Sequence, residues 1–229
     1  MRTSTFVSAV SLLSLTLAAP VKDVRRAEAG SCSSYTIINT RGTSEAQGES
    51  AGFRTMNKRI QSAVSGGKIY NTVYAADASQ NSALGTKDIV NKISTTLSTS
   101  PNECFILEGY SQGAQATVNA MSQITGANFD AVKGVFLIGN PAHKAGLTCN
   151  VDNNGGTTTL NVNGLSAGFG RGIPSEWVAK TLDVCIFGDG VCDTTNGAGI
   201  NVQHTQYPRD QATQTLGTEY VTKALGGGA

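Results

Sequence analysis

Gly109-Tyr110-Ser111-Gln112-Gly113 is the stretch of this sequence best equipped for chemistry. A glycine two places before and two places after a serine marks a nucleophile elbow. This is a sharp strand-to-helix turn that exposes the serine oxygen above a sheet. The spacing has a steric reason, because side chains at 109 and 113 would collide with neighbouring backbone. A serine hydroxyl is a weak nucleophile until a base takes its proton, and imidazole is the usual base. The chain holds two imidazoles, His143 and His204. Chains with this elbow run in the order serine, acid, then histidine late in the chain. His204, ahead of the last helical stretch, fits that order. His143, in Gly139-Asn140-Pro141-Ala142-His143, is the alternative.

The acid that orients the imidazole has six candidates between Ser111 and His204: Asp130, Asp152, Glu176, Asp183, Asp189 and Asp193. Asp189 is favoured by its setting, Cys185-Ile186-Phe187-Gly188-Asp189-Gly190-Val191-Cys192. A bridge between those cysteines would close a small ring around it, and glycines on both sides permit the tight turn. Asp193, just outside the ring, is the rival. An oxyanion formed by attack on a carbonyl needs two donors. The Gln112 N–H, directly after the nucleophile, is one. Thr40-Arg41-Gly42-Thr43-Ser44 follows an early strand and offers the second, through the N–H and hydroxyl of Thr43. This set of groups performs acyl transfer and calls for no cofactor and no metal.

Strands and helices must bring these residues together. Short β-rich runs cover 35–39, 69–74, 104–108, 132–138 and 182–187. Apolar residues recur at helical spacing in Phe53, Met56, Ile60 and Val64, and again in Ile89, Ile93 and Leu97. Further helices are expected over 112–125 and around Leu216, Tyr220 and Ala224, the last ended by Gly226 to Gly228. Alternating strands and helices predict βαβ units around a mostly parallel α/β sheet. The near-continuous apolar strands predict a sheet covered on both faces. Residues 150–172, rich in Gly, Asn and Thr, read as an irregular excursion.

Composition narrows the function further. Charged residues are 14% of the chain, against about 25% in a typical protein. A formal charge of +1 argues against a nucleic-acid partner, which needs a clustered basic footprint. Two His and five Cys show no zinc spacing. Arg2, the apolar run Phe6 to Leu17 and Ala18-Ala19 read as a secretory signal peptide over 1–19. That run is shorter than the roughly 20 residues a bilayer requires, so no membrane span is expected. Residues 20–26, ending in Arg25-Arg26, read as a propeptide, with a single domain over 27–229 starting near Ala27. Losing the leader removes Arg2, Lys22, Arg25, Arg26 and Asp23, and turns the charge to −2.

Secretion permits disulfides. Cys185 and Cys192 are close enough in sequence to staple one loop. Cys32 and Cys104 each adjoin a strand-like run and can tie the N-terminus to the sheet, leaving Cys149 over. Other pairings remain open at this level. The chain has no Asn-x-Ser/Thr sequon, so N-glycosylation is not expected.

Taken together, Arg41-Gly42-Thr43, the elbow around Ser111, the Cys185-to-Cys192 loop holding Asp189, and His204 resemble the cutinase family of secreted serine esterases. The likeness runs across nearly all of the expected mature chain. The stretches 39–43, 71–74, 134–141 and 181–185 look especially like the cutinase-like enzymes of basidiomycete yeasts. The resemblance implies a three-layer α/β-hydrolase-type fold without a lid. It also implies a Ser111, Asp189 and His204 triad, and Thr43 and Gln112 as oxyanion donors. It further implies bridges Cys32–Cys104 and Cys185–Cys192, and an acyl pocket partly lined by Ile200 and Thr205. Implied substrates are cutin, short- to medium-chain acyl esters and aliphatic polyesters, small or insoluble, handled by a secreted monomer. Most cutinases carry Ser where Thr43 stands, and Cys149 lies outside the two-bridge scheme. The rival readings are an acetylxylan esterase, which shares fold and triad, and a catalytically silent surface-binding protein on the same scaffold.

Overall fold

The structure, a computed structural model, describes residues 1, 32–170 and 172–226. The expected signal peptide (Met1 aside), the propeptide, the start at Ala27 and the end of the glycine tail fall outside the described residues.

Six strands form one sheet: β1 (Tyr35–Thr40), β2 (Gly67–Asn71), β3 (Cys104–Tyr110), β4 (Val132–Ile138), β5 (Asn150–Val151) and β6 (Thr181–Val184). Their order is β2-β1-β3-β4-β6-β5, and every pairing is parallel. The helices are α1 (Arg54–Ala63), α2 (Ala83–Thr99), α3 (Gln112–Met121), α4 (Ala127–Ala131) and α5 (Gln211–Ala224). Successive strand residues point to opposite faces, and the two cores follow from that alternation. Ile38, Phe105, Leu107, Val135 and Leu137 pack with Ile89 and Ile93 of α2 and Ala114 and Val118 of α3. Ile37, Ile106, Phe136 and Ile138 pack with Met56 and Ile60 of α1 and Val221 of α5. The result is the three-layer α/β-hydrolase-type arrangement, with β3 central and its C-terminal end carrying Ser111.

Several elements differ from the sequence expectation, each for a local reason. The second strand stops at Asn71, not Tyr74, because the buried Arg41 guanidinium takes the carbonyls of Thr72 and Tyr74. The fifth expected strand stops at Val184. Beyond it, the Cys185–Cys192 bridge and the bond from the Ile186 N–H to the Tyr207 hydroxyl turn the chain away. The excursion 150–172 is not wholly irregular, since Asn150–Val151 adds an edge strand to β6. α4 and the 3₁₀ turn Ser175–Lys180 were too short to leave a helical period in the sequence. Helix α5 begins where the Asp210 carboxylate accepts the Thr213 N–H at 2.7 Å, an N-cap.

Two disulfides are present, Cys32–Cys104 and Cys185–Cys192, and Cys149 is free and buried. The first closes a separation of 72 residues and the second one of 7. In the chain-entropy picture the longer loop gives the larger stabilisation, about 4 kcal/mol. Such bridges persist in oxidising surroundings outside the cytosol. No helix among the described residues is long and apolar enough to cross a membrane.

Candidate active site

Ser111 sits between β3 and α3 with φ 54° and ψ −119°, a conformation a non-glycine residue adopts only when its surroundings enforce it. The elbow's steric requirement is visible in its neighbours. A Cβ on Gly113 would stand 2.1 Å from the Thr40 carbonyl oxygen, and one on Gly109 would stand 2.6 Å from the Ala114 Cα. The Ser111 N–H is tied to the Ile138 carbonyl at 3.0 Å. With the backbone held on both sides, the direction of the Ser111 Cα–Cβ bond is fixed.

That direction is toward His204. The Ser111 Oγ lies 2.9 Å from His204 Nε2, and His204 Nδ1 lies 2.9 and 3.0 Å from the two Asp189 oxygens. All three residues are buried. With the Nδ1 proton given to a carboxylate, Nε2 is free to accept the serine proton. Asp189 also accepts the Val191 N–H at 2.9 Å and the Tyr207 hydroxyl at 2.7 Å. Those bonds aim the carboxylate and make its burial tolerable. Burial, with the charge and hydrogen bond of Asp189, holds the Tyr207 hydroxyl well above its ordinary pKa, so it remains a donor. Tyr110 donates its hydroxyl to the His204 carbonyl at 2.6 Å, and Asn201 Oδ1 accepts the His204 N–H. Gly139 has φ +56°, and a Cβ there would reach within 2.7 Å of the imidazole.

Tyr207, Asn201 and Gly139 were not found by sequence reasoning. Their roles depend on through-space contacts, and only the proximity of 201 and 207 to His204 hinted at them.

The other candidates lie elsewhere. Asp193 is buried but accepts the Gly188 N–H and the Thr195 N–H, and so holds the turn beside Asp189. Asp152 caps its own loop, accepting the N–H groups of Asn154 and Gly156. Asp183 is engaged with His143, whose Nδ1 lies 2.9 Å from Oδ2 while Nε2 lies 3.0 Å from the Thr159 carbonyl. Both of those partners only accept, so both imidazole nitrogens must donate, and the cationic ring is the form that fits. His143 is thereby locked away from Ser111.

Burial alone would lower the His143 pKa. The charge and hydrogen bond of Asp183, the Thr159 carbonyl and the charge of Asp193 together raise it above 6.5. The neighbouring Cys149 thiol, pushed up to about 12 by burial, stays neutral. A raised histidine stabilises the fold fully below 6.5, and that contribution is lost as pH climbs through the folded value. Thermal unfolding followed by circular dichroism from pH 6 to 9 should therefore show a falling midpoint. The fall should be shallower in His143→Gln.

The loop from Arg41 to Ala51, which carries the expected donor Thr43, is held along its length. Glu45 accepts the Gly42 N–H at 2.6 Å, the Ala51 N–H at 2.7 Å and the Ser50 hydroxyl at 2.7 Å. Arg41 donates to four carbonyls, those of Glu45, Thr72, Tyr74 and Ala75. Beneath the loop, Asn39 accepts the Ser50 N–H and donates to Glu108, which also takes a bond from Asn57. Burial pushes the Glu108 pKa up to about 8 despite the Asn57 and Asn39 bonds. Near neutral pH it is chiefly the uncharged acid. Neither the Thr43 nor the Gln112 N–H donates to an acceptor among the described residues. Both residues line the cleft that opens on Ser111. The Thr43 hydroxyl lies 3.0 Å from Gln80 Nε2 and 3.4 Å from Gln112 Oε1.

Two clefts meet at Ser111. The larger, about 440 Å³, has apolar walls from Pro141, Leu165, Val191 and Ile200. The smaller, about 90 Å³, is lined by Tyr110, His204, Thr205 and Ile200 together with Thr43 and Ser111. Ile200 thus borders both, and Thr205 borders only the one on the histidine side. Such an arrangement can attack an ester carbonyl, hold the resulting oxyanion and pass a proton to the leaving group.

The chain is similar to known proteins over most of its length. The family model described as Cutinase matches residues 31–225. A cutinase of Monilinia fructicola is 30% identical over 208 residues, covering 88% of this chain and 89% of its own. A solved cutinase-like protein from Cryptococcus sp. superimposes with TM-score 0.86 at 63% identity, over 87% of this chain and 98% of its own. An acetylxylan esterase structure shares the fold, with TM-score 0.70 at 22% identity, over 85% of this chain and 100% of its own.

Proposed function

We propose, for a chain that belongs to the cutinase family and is a carboxylic ester hydrolase, that Ser111, His204 and Asp189 are its catalytic triad. The observation that carries this reading is the unbroken run of hydrogen bonds from the Ser111 hydroxyl through the imidazole to the buried carboxylate. His204 takes the serine proton as Ser111 attacks the ester carbonyl. The N–H groups of Thr43 and Gln112 hold the oxyanion, each contributing about 3 kcal/mol. The N-terminus of α3 points its partial positive charge at the same atom. His204 then protonates the departing alcohol. A water molecule, deprotonated by the same imidazole, releases the acid and restores Ser111.

The substrates proposed are cutin, short- to medium-chain acyl esters and aliphatic polyesters. Exposed apolar side chains support an insoluble, weakly polar substrate. Leu165 and Ile200 line the cleft itself, and Phe169, at 94% exposure, follows Leu165 on the same loop. Isolated apolar residues are ordinary on a surface, but a group bordering a cleft marks a contact face. The two disulfides suit the proposed secretion, with a leader over 1–26 and a mature domain from Ala27.

The substrate class is tested by comparing acid release from an aliphatic polyester film with acetate release from acetylated xylan. The film should be the better substrate at equal enzyme. Faster deacetylation of xylan, with the film untouched, would move the assignment to acetylxylan esterase.

A further inference from the structure

The larger cleft changes character along its length. Beside Ser111 its walls are apolar, but one turn along α3 they are not. The Gln115 N–H bonds the Ser111 carbonyl at 3.1 Å, so Gln115 stands about 6 Å along the helix axis from the nucleophile. There Ser166 donates its hydroxyl to Gln115 Oε1, joining α3 to the opposite wall. Gln115 Nε2 donates to Asn119 at 3.0 Å. The wall itself is fixed, because Ser166 N–H bonds the Pro141 carbonyl at 2.8 Å and Leu165 N–H bonds the Val191 carbonyl at 2.9 Å. Neither polar group is saturated. The Ser166 oxygen has given its proton and keeps acceptor capacity, and the Gln115 amide has a second N–H. Both side chains are half-buried and line the cleft.

The two clefts also divide the substrate. The leaving alcohol must stand beside His204, which lines the smaller cleft and not the larger. The acyl chain is left to the larger one.

We propose that Gln115 and Ser166 form a polar subsite for an oxygen borne on the acyl chain, remote from the ester carbonyl. The cleft then favours esters of short ω-hydroxy acids with a free terminal hydroxyl over esters of plain alkanoic acids. The methylenes lie against Pro141, Leu165 and Val191. The terminal hydroxyl donates to Ser166 Oγ and accepts from Gln115 Nε2. A plain alkyl end reaching the same place displaces water from both groups and returns nothing. This inference rests on the esterase reading of Ser111.

The test is a pH-stat comparison of methyl 6-hydroxyhexanoate with methyl hexanoate. For the unmodified enzyme, kcat/KM should favour the hydroxy ester by roughly five- to tenfold, the value of about one hydrogen bond. In Ser166→Ala and in Gln115→Leu the ratio should fall to near one, whatever the absolute rates. The ratio is internal to each preparation, so it does not depend on how much of a variant folds. A ratio near one in the unmodified enzyme, or a preference kept by both variants, would overturn the subsite while the esterase reading stands. Failure to hydrolyse either ester, or methyl butyrate, would overturn the esterase reading and the subsite with it.

Discussion

Ser111→Ala is expected to lower turnover of p-nitrophenyl butyrate by roughly 10⁴- to 10⁶-fold, leaving only what the oxyanion donors and substrate binding supply. On the proposed reading Ser111 Oγ forms the covalent bond, and among the described residues it is the only group hydrogen-bonded to His204 Nε2. The imidazole and the carboxylate remain, but without Ser111 Oγ there is no acyl-enzyme to form. The substitution spares the fold. It keeps the Cβ, and it keeps the backbone that the Ile138 carbonyl and the glycines hold at φ 54°. Among the described residues, the only side-chain hydrogen bond lost is the one to His204. Thermal unfolding should therefore change little while activity collapses. Labelling by a fluorophosphonate should vanish with it. Turnover retained at more than about one part in a hundred, by a preparation with unchanged unfolding, would remove Ser111 from the nucleophile's role, since losing a nucleophile costs about 10⁴- to 10⁶-fold.

How legible these features were in the sequence depended on how local their causes are. The elbow could be read because its requirement is steric and confined to five residues, 109 to 113. The strands and the two-faced core could be read because a near-continuous apolar run is a local pattern, and the central strands β1, β3 and β4 are buried on both faces. The choice of His204 as the expected base rested on chain order. His143 is held between Asp183 and Thr159, a second histidine–carboxylate pair that has no serine. The acid was the hard case. Asp189 and Asp193 share one short loop and both are fully buried; the flanking cysteines and glycines favoured Asp189, but they do not show which carboxylate faces the imidazole. The answer lies in the Tyr207 hydroxyl and the Val191 N–H, groups placed by tertiary packing. The ends of the second and fifth strands were misjudged for the same reason. A guanidinium from 31 residues away and a tyrosine from 21 residues away captured groups that would otherwise extend the sheet.

Asp189→Asn sharpens that distinction, and it should cost about 10⁴-fold in kcat, or about 5.5 kcal/mol of transition-state stabilisation. The carboxylate now accepts from three donors: His204 Nδ1, the Val191 N–H and the Tyr207 hydroxyl. An asparagine has one accepting oxygen. If that oxygen keeps the Val191 bond, at the atom now 2.9 Å from the amide, the new NH₂ faces His204 Nδ1 and Tyr207. The imidazole can then satisfy Nδ1 only by accepting, which moves its proton to Nε2, 2.9 Å from Ser111 Oγ. The base is thereby the wrong tautomer, with no atom displaced. Asp193→Asn should behave differently. Asp193 touches the Gly188 and Thr195 N–H groups and the Thr195 hydroxyl, and makes no hydrogen bond to His204. An amide oxygen can retain part of that set, so turnover should fall less than tenfold and the loss should appear mainly in the unfolding midpoint. Steady-state kinetics of the two variants side by side, each with its unfolding midpoint, decide the matter, because an orienting acid shows its loss in kcat and a supporting one in stability. A severe loss in Asp193→Asn with Asp189→Asn near normal would transfer the acid to Asp193, and would mean that the imidazole turns away from Asp189 during the reaction.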